Sequence, residues 1–410
     1  MRLFRIEAFG HSIPNRVAES LSRLSLGEHY NLAVMGNAGR ILAESKFDGP
    51  LIPEAVVKPD EIAALRSSLL AWYRFNRRDL PWRRTRDPYA IWVSEIMLQQ
   101  TRVAAVIERY EAFLRNFPNV EALANASEED VLALWSGLGY YRRARLMHKT
   151  AKVLALESKG LMPRTAIGLR TLPGIGAYTS AAIASIAYGE PVAVVDGNVE
   201  RVVQRLAGWG SDLRSGQAEL DRNTAKLANM LLDPARAGDF NQGMMELGAT
   251  VCLPQKPKCL LCPLRRVCRT RGEHPTPKRA RMRSQDAAFA LVIRSHGPHR
   301  EVLLEQRSAE QTVMPGMWEL PALRDTQVAG ANLRMSVRHA IMQVNYYVRI
   351  RTVHEDDADE LTLPSDRRTW VRLHDLPGMA LTGLAHKVLL RAKLPELTPN
   401  LPVLDSAVAD

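Results

Sequence analysis

All four cysteines of the 410-residue chain lie in one short segment, VCLPQKPKCLLCPLRRVC, as Cys252, Cys259, Cys262 and Cys268. Thiols clustered in this way form disulfides, hold structural zinc or hold an iron–sulfur cluster. We expect no export of this chain, which disfavours disulfides. Structural zinc usually takes two short-spaced pairs, whereas only one Cys-x-x-Cys pair occurs here. The spacing therefore favours a [4Fe-4S] cluster and leaves zinc as the alternative.

The segment between these cysteines is basic, with Lys256, Lys258, Arg265 and Arg266. A metal-held loop that displays cations is suited to gripping phosphates. The formal net charge of the whole chain is +11, which also favours a polyanionic partner. A hydrophobic fraction of 46% and a charged fraction of 24% are typical of a soluble globular protein, and we expect no membrane-spanning segment.

Two carboxylates have surroundings that suit acid catalysis. Asp196 follows the apolar run PVAVV and precedes a new helix, so it is placed to cap that helix, whose dipole favours the ionised form. Glu95 lies in IWVSEIML and is either on the wet face of an amphipathic helix or removed from water. If it is removed from water, its pKa rises and it stays protonated near neutrality. One protonated acid and one carboxylate are what cleavage at an anomeric carbon requires.

The stretch LRTLPGIGAYTSAAIASIAYG has the pattern of a helix-hairpin-helix. Gly174 and Gly176 allow a tight turn without a Cβ in the way, and a second helix begins near Tyr178. Amides at a helix N-terminus bind phosphate. Alone, such a hairpin is also compatible with a plain connector between helices. Beside a basic four-thiol loop, it favours binding to the DNA backbone.

Patterning along the chain predicts a mainly α catalytic region followed by a C-terminal α+β domain. The helical region spans 59–270 and contains three long apolar-periodic runs, at 59–76, 87–117 and 127–156. A basic, proline-containing linker follows at 271–285, and short β-rich runs with a closing helix predict the α+β domain at 286–395. Residues 1–58 form an extension, either poorly ordered or a small accessory lobe, and 396–410 form a tail.

Over residues 62–270 the chain resembles the MutY family of A/G-specific adenine DNA glycosylases, a branch of the helix-hairpin-helix superfamily that includes endonuclease III. The resemblance is carried by LPWRRTRDPYAIWVSEIMLQQTRV, WSGLGYYRRAR, LPGIGAYT, VVDGNVERV, MMELGATVC and the four-cysteine loop. Over 286–395, VLLEQR and GMWELP are similar to the Nudix-like C-terminal domain of that family. The resemblance implies two helical subdomains, with the hairpin and the [4Fe-4S] loop, joined to a Nudix-like domain.

The resemblance also implies a role for each candidate catalytic residue. Glu95 would protonate N7 of a flipped adenine and then activate water, while Asp196 would stabilise the sugar cation with Asn198 holding the geometry. Tyr178 stands where lyase members carry a lysine that forms a Schiff base, which a phenol cannot do. We therefore expect a monofunctional glycosylase in which Tyr178 hydrogen-bonds near Asp196. The four cysteines would bind a [4Fe-4S] cluster.

Further residues fall where the family contacts DNA. The adenine pocket would be lined by Trp82, Arg83, Leu98 and Glu246. The opposite 8-oxoguanine would be probed by Gln100, Thr101, Leu138 and Tyr140. Tyr140 would fill the base stack when adenine leaves, although core packing is the alternative for it and for Leu138. Contacts to the DNA backbone would come from Gly174, Gly176, Lys256 and Lys258.

The C-terminal domain departs from the family in two places. Members usually present a Phe-Ser-His turn to 8-oxoguanine, whereas this chain has Ile341-Met342-Gln343. Recognition of the lesion is then either weakened or passed to Gln343 or Asn345. No glutamate-rich helix follows GMWELPALRD, so we expect no pyrophosphatase activity.

Together these features predict a monomeric, cytoplasmic glycosylase of base excision repair, associated with the bacterial nucleoid. Its substrate would be double-stranded DNA with A:8-oxoG or A:G mispairs. A thymine or uracil mismatch glycosylase can share Tyr178 and Asp196, but Glu95, Glu246 and the C-terminal domain argue against it. A non-catalytic iron–sulfur module that only binds DNA would need neither catalytic carboxylate.

Overall fold

The computed structural model describes residues 57–209, 217–273 and 281–394, apart from 298, 327, 329–331 and 342. The predicted N-terminal extension at 1–58 lies outside the described residues except for Val57 and Lys58. The predicted tail at 396–410 and residues 274–280 of the predicted linker also lie outside them. Most of the two predicted domains falls within the described ranges.

The first of these domains is helical, as predicted. Several helices begin at a side chain that accepts amide hydrogen bonds from the first turn, as Asp87, Ser127 and Asp196 do. The helices are α1 (Pro59–Asn76), α2 (Pro88–Leu98), α3 (Val103–Asn116), α4 (Val120–Asn125), α5 (Glu128–Leu134), α6 (Arg142–Ser158), α7 (Ala166–Leu169), α8 (Ala177–Tyr188), α9 (Gly197–Ala207), α10 (Gln217–Leu231) and α11 (Ala237–Thr250).

These helices pack around two hydrophobic cores. One core surrounds α2 and includes the fully buried Trp92 and Trp135. The other lies between α1, α9, α10 and α11 and includes Leu69 and Phe240. Met245 of α11 packs against both cores. The junction between the cores brings α2, α8 and the beginning of α9 together, and the candidate site lies there.

Two of the predicted helical runs are interrupted at left-handed residues. The run at 87–117 divides into α2 and α3 around Gln100, with φ 56°. The run at 127–156 divides into α5 and α6 across Gly137, Gly139 and Tyr140, with φ of 90°, 68° and 49°. A right-handed helix ends at such a residue, because positive φ breaks its geometry. The two interruptions adjoin, since the Thr101 hydroxyl donates a hydrogen bond of 3.2 Å to the Leu138 carbonyl.

The C-terminal region is built on a six-stranded mixed sheet with the order β3-β2-β1-β5-β4, in which β6 pairs with β2. Its elements are β1 (Arg283–His296), β2 (His299–Gln306), β3 (Trp318–Glu319), β4 (Leu333–Ile341), β5 (Val344–Val353), α12 (Ala358–Leu361), β6 (Arg368–Arg372) and α13 (Gly383–Arg391). Strands β1 and β5 are parallel. Strand β1 begins at Arg283 by pairing with Val344, so residues 283–285 of the predicted linker belong to the sheet instead.

The helical region and the sheet region are in direct contact. Met317 and Ala380 of the C-terminal region are buried in the core that surrounds α2. The Tyr141 hydroxyl donates a hydrogen bond of 3.0 Å to the Leu381 carbonyl. These contacts hold the beginning of α6 against the sheet region. Among the described helices, none combines the length and apolar composition needed to cross a bilayer.

Candidate active site

Glu95 is carried by α2, which is buried on nearly every side. All residues from Tyr89 to Met97 are buried, and Glu95 itself is 5% exposed. Because this part of α2 is covered on all faces, none of its side chains faces solvent. The alternative in which Glu95 lies on a solvent-exposed face is therefore wrong. The Tyr178 hydroxyl, from α8, donates a hydrogen bond of 2.5 Å to Oε2 of Glu95.

The surroundings of Glu95 favour its protonated form. Burial raises the pKa of Glu95 to about 7, the hydrogen bond from Tyr178 opposes the rise, and the charge of Asp196 adds to it. Burial and the two neighbouring carboxylates also raise the pKa of Tyr178, which therefore remains a hydrogen-bond donor. The Tyr178 hydroxyl was expected to form a hydrogen bond near Asp196. Its partner is Glu95, and Asp196 lies near enough for its charge to act on both groups.

Asp196 caps α9, as its position in the sequence predicts. Its Oδ1 accepts hydrogen bonds from the amides of Asn198 at 3.0 Å and Val199 at 2.7 Å, and its Oδ2 accepts one from Asn198 Nδ2 at 2.9 Å. Arg201 holds Asn198 in turn, since Nη2 donates to Asn198 Oδ1 at 2.9 Å. The Nε of Arg201 donates at 2.8 Å to the Cys252 carbonyl, which links this site to the cysteine loop.

Glu246 of α11 is fully buried and paired with two arginines. Its Oε1 accepts hydrogen bonds from the Arg78 amide at 3.1 Å and Arg78 Nε at 2.8 Å. Its Oε2 accepts them from Arg78 Nη2 at 2.7 Å and Arg83 Nη2 at 2.8 Å. Burial raises the pKa of Glu246, but the arginines outweigh burial and hold the pKa at about 2. An adenine amine can reach this carboxylate only by displacing an arginine.

Three other residues were assigned to the adenine pocket. Arg83 belongs to this ion-pair cluster, Trp82 precedes it in the chain, and Leu98 packs against the core around α2. The Arg83 guanidinium stacks over the Tyr73 ring, 5.6 Å from its centroid. Trp82 is buried with its ring edge-on to Tyr110, at a centroid distance of 5.5 Å. Leu98 ends α2 and packs, half-buried, against the core around that helix. Arg83 therefore contacts Glu246 directly, whereas Trp82 and Leu98 contribute packing.

A cleft of about 1350 Å³ opens between the two interrupted runs and the C-terminal region. Gln100, Leu138 and Tyr140 line it, and Thr101 lies behind them with its hydroxyl on the Leu138 carbonyl. Tyr140 is 51% exposed, so core packing is wrong for it, whereas Leu138 is buried. The described walls of this basic cleft carry arginines and lysines without a carboxylate, a charge that suits a polyanion. His339 and His386 also line it, but burial lowers the pKa of each, so they add no charge near neutrality.

The predicted helix-hairpin-helix is present as α7, a tight turn and α8. Gly174 has a φ of 75°, and a Cβ there would meet the Leu146 Cβ at 2.8 Å, so this position requires glycine. Gly176 differs from the expectation, since its φ is −86° and a Cβ there would meet nothing within 4 Å. The first amides of α8 have no intrahelical acceptor. Open space at Gly176 leaves them accessible to an anion.

The four predicted ligand cysteines line one small cavity of about 30 Å³. Arg205 borders it, with Nη1 donating to Cys252 Sγ at 3.4 Å and its carbonyl accepting from Cys268 Sγ at 3.4 Å. Across the described ranges, no three cysteines, histidines or acidic residues already form a metal-binding group. The donor set fits a four-thiolate cluster, because four sulfurs face a common space bordered by cations. The basic residues of the loop are exposed, namely Lys256, Lys258, Arg265 and Arg266.

Known proteins resemble this chain across the site. Residues 93–229 match the family profile described as HhH-GPD superfamily base excision DNA repair protein. The human adenine DNA glycosylase is 50% identical over 220 residues, which cover 52% of this chain and 40% of that protein. The adenine DNA glycosylase of Buchnera aphidicola subsp. Acyrthosiphon pisum is 33% identical over 267 residues, which cover 64% of this chain and 75% of that protein. The chain belongs to the MutY family of adenine DNA glycosylases.

This MutY-family chain spans less than half the length of its human relative. Among solved structures, that of a thermostable thymine-DNA glycosylase aligns with it at a TM-score of 0.48 and 31% sequence identity. The alignment covers 52% of the MutY-family chain and 97% of the other.

Two arginines of the MutY-family chain hold the site together although sequence reasoning did not single them out. Arg78 binds Glu246, and Arg143 binds carbonyls at the end of α2 and in the turn before α6. Both lie in arginine-rich stretches, beside Arg77 and Arg142. No signal in the sequence separates each from its neighbour.

The turn that departs from the family joins β4 and β5. Met342 lies outside the described residues, Ile341 lines the cleft and Gln343 is exposed. Asn345 is buried where it pairs with Ala340 across the hairpin. Of the two residues considered for reading the lesion in this MutY-family chain, Gln343 is therefore the accessible one.

Proposed function

We propose that the protein is a monofunctional adenine DNA glycosylase of base excision repair. It hydrolyses the N-glycosidic bond of adenine mispaired with 8-oxoguanine or guanine in double-stranded DNA. One observation carries the proposal: Glu95 is buried, has a raised pKa and lies close enough to Asp196 to be affected by its charge. An acid and an anion at one site are the two groups that this hydrolysis needs.

Departure of the base begins with proton transfer from Glu95. The proton passes from the carboxyl group to N7 of a flipped adenine, the bond between C1′ and N9 breaks, and its electrons leave with the base. Protonation makes adenine a better leaving group, because those electrons neutralise the charge on the ring. A pKa of about 7 suits Glu95 to this step at neutral pH.

The sugar left behind carries positive charge, which the Asp196 carboxylate stabilises. Two amides and the Asn198 side chain fix that carboxylate, so it acts without reorganising. Glu95, now ionised, accepts a proton from water while the water oxygen bonds to C1′. The products are free adenine, an intact abasic site and Glu95 in its starting state.

Tyr178 supports a monofunctional reaction. A strand-cleaving lyase needs an amine that attacks C1′ and forms a Schiff base, and a phenol has no such chemistry. The Tyr178 hydroxyl donates to Glu95 instead. Borohydride should therefore trap no covalent complex of protein and DNA, and efficient trapping would contradict this part of the proposal.

Three surfaces of the described residues suit DNA phosphates: the beginning of α8, the exposed cations of the cysteine loop and the basic cleft. Tyr140 would fill the stack that a flipped adenine leaves, and its exposure in that cleft supports this role. We propose that one copy of the chain is sufficient for this work.

Cys252, Cys259, Cys262 and Cys268 would hold a [4Fe-4S] cluster. When bound, such a cluster supplies iron–thiolate bonds that keep the basic loop in one conformation. Arg205 supports the same loop, since its guanidinium donates to Cys252 Sγ and to the carbonyls of Leu253 and Pro254. No chemical step of the hydrolysis depends on the cluster.

We assign to the C-terminal region the reading of the base opposite adenine, as a Nudix-like domain without pyrophosphatase activity. Its position across the cleft from Gln100 and Tyr140 supports this role. The exposed Gln343 is the side chain that we expect to contact the lesion. Since the serine and histidine of the usual turn are missing, we expect a reduced preference for A:8-oxoG over A:G.

Release of free base from defined duplexes tests the function. We expect adenine from A:8-oxoG and A:G duplexes, with release abolished by Asp196→Asn or Glu95→Gln. Release of thymine or uracil from mismatches with guanine would identify the alternative glycosylase. Tight binding of mismatched DNA without release of any base would identify a non-catalytic module.

A further inference from the structure

Arg143, in the first turn of α6, binds the carboxyl end of α2. Its Nη1 donates to the carbonyls of Ile96 at 2.7 Å, Met97 at 3.1 Å, and Gln99. The last carbonyls of a helix have no intrahelical partner, and the helix dipole favours a cation beside them. Arg143 therefore fixes the end of the helix whose last turns carry Glu95.

The other half of the same guanidinium binds the turn before α6. The Nη2 of Arg143 donates at 3.1 Å to Thr101 Oγ1 and, at the same distance, to the carbonyls of Leu138 and Gly139. Tyr140 follows directly in the chain, and the guanidinium lies 5.5 Å from the centroid of its ring. One side chain thus joins the end of α2 to the turn that presents Tyr140.

Arg143 also braces Gln100 and Tyr140, the non-glycine residues of these loops that have positive φ. Its acceptors Gln99 and Thr101 stand on either side of Gln100, and Gly139 stands directly before Tyr140. Non-glycine residues with positive φ persist only where their surroundings hold them, and they cluster at functional sites. Both left-handed residues line the basic cleft.

The charge and shape of Arg143 suit it to this position. All six acceptors are neutral oxygens, and burial lowers the pKa of Arg143 to about 10, so the side chain remains charged near neutrality. A lysine carries the same charge on a compact ammonium group with three donors. A lysine therefore cannot replace the planar guanidinium group, whose two terminal nitrogens bind acceptors in two different loops.

We propose that Arg143 is a positioning residue that couples the insertion of Tyr140 into the base stack to the placement of Glu95 against the flipped adenine. This inference rests on the proposed function. A displacement of the Tyr140 turn on contact with DNA reaches α2 through the guanidinium, because both loops bind the same rigid group.

Arg143→Lys and Arg143→Ala test the coupling against a matched arginine. Arg66 likewise binds helix-end carbonyls, donating at 3.0 Å to Leu231 and Met230 of α10, away from both loops. We expect each Arg143 variant to lower the single-turnover rate of adenine release by about 10²-fold, the effect of a small misplacement of a catalytic group. Arg66→Ala should release adenine at the wild-type rate.

A second measurement separates positioning from general damage to the fold. With 2-aminopurine beside the target adenine, and Glu95→Gln present to prevent excision, fluorescence reports unstacking alone. The rise seen on binding should be lost with Arg143→Ala and kept with Arg66→Ala. Free guanidinium ion, well below denaturing concentrations, should restore most of the lost excision rate to Arg143→Ala but none to Arg143→Lys.

The outcomes are distinct. A wild-type protein that releases no adenine overturns the proposed function, and the coupling with it. If wild type is active and Arg143→Lys is equally fast, or if Arg143→Ala loses excision while the fluorescence rise persists, the coupling alone is wrong. Should Arg143→Ala fail to fold, as judged by circular dichroism, Arg143→Lys decides the question with the same two measurements.

Discussion

A carboxyl group that donates a proton at neutral pH must be kept protonated by its surroundings. For Glu95, burial does this first and the charge of Asp196 adds to it, whereas Tyr178 acts in the opposite direction. Tyr178 therefore tunes the acid, since its hydrogen bond keeps the pKa of Glu95 from rising further. Glu246 shows the reverse balance, because two arginines overcome its burial and lower its pKa.

Tyr178→Phe should shift the pH dependence of excision to higher pH. The active form of Glu95 is protonated, so the rate is present below its pKa and is lost as pH rises through it. Removing a hydrogen bond that lowers the pKa moves this loss above about 7. Single-turnover rates across pH measure the shift. Tyr188→Phe is the control, since its hydroxyl, from the same helix, binds the Met162 carbonyl. A shift to lower pH contradicts the account.

Glu246→Gln should lower the free energy of unfolding by about 3 kcal/mol, because it leaves two arginines without their buried partner. The pKa of Glu246 is lowered in the fold, so its stabilisation is present above the pKa of the unfolded chain and is lost as pH falls towards about 2. Urea unfolding at neutral and acidic pH measures both effects. Asp79→Asn, which removes an exposed ion pair with Arg84, should change nothing measurable. An equal loss of unfolding free energy in both variants would contradict a stabilising role for the buried ion pairs of Glu246.

At the scale of elements, the sequence predicted those features that depend on residues close together in the chain. Helix α1 occupies the run expected for it, because a helix with one solvent face shows its period in the sequence. The burial of Glu95 could not be predicted, since residues from other helices cover the remaining faces of α2. The break at Gln100 was missed for a related reason: the residue is not glycine, and Arg143 holds its neighbours from a distant part of the chain. The break before α6 did have a local signal, since Gly137 and Gly139 both have positive φ there.

In the sheet region, too, only the elements with a strong local pattern were predicted. Strands β1, β2 and β5 are rich in apolar residues and were expected, whereas β4 and β6 present largely exposed or half-exposed side chains and carry a weaker signal. The capping of α9 by Asp196 is local and was predicted from the sequence, and a supporting role for Asn198 was implied by the resemblance. The ion pair of Glu246 with Arg78 joins distant segments and was not predicted.

The hairpin offers a test with two glycines of different geometry. Gly174→Ala should lower stability by about 1–2 kcal/mol or more, because the left-handed backbone disfavours a Cβ and Leu146 obstructs it. Gly176→Ala should change stability by less than about 0.5 kcal/mol, since its φ is ordinary and space is open. Chemical denaturation compares the two. Equal destabilisation by both changes would mean that the turn is not as described.

At the scale of the whole described structure, the site is divided between regions that touch. The beginning of α6 contacts the C-terminal region through Tyr141 and presents Tyr140 to the cleft. Glu95 and Asp196, the two carboxylates proposed to act in catalysis, lie at the junction of the two helical cores. Contacts that the C-terminal region makes with a base can therefore be transmitted over a short distance to the turn that carries Tyr140.

Tyr141→Phe should reduce discrimination between A:8-oxoG and A:G, because it removes a hydrogen bond between the two regions. The matched control is Tyr89→Phe, whose buried hydroxyl donates to the Phe117 carbonyl within the helical region. Each change should cost about 1–2 kcal/mol of stability. Only Tyr141→Phe should lower the ratio of excision rates on the two duplexes. A ratio that falls equally in both variants would tie discrimination to stability instead.

The pKa of Glu95 in the free protein tests the central claim most directly. It can be followed by 13C NMR of glutamate carboxyl signals, with Glu95→Gln used to assign the resonance. We expect a value of about 7 in the wild type and a lower value in Asp196→Asn, where the charge that helps to raise it is gone while asparagine still caps α9. A pKa near the ordinary value of 4.5, or one that Asp196→Asn leaves unchanged, would contradict the account.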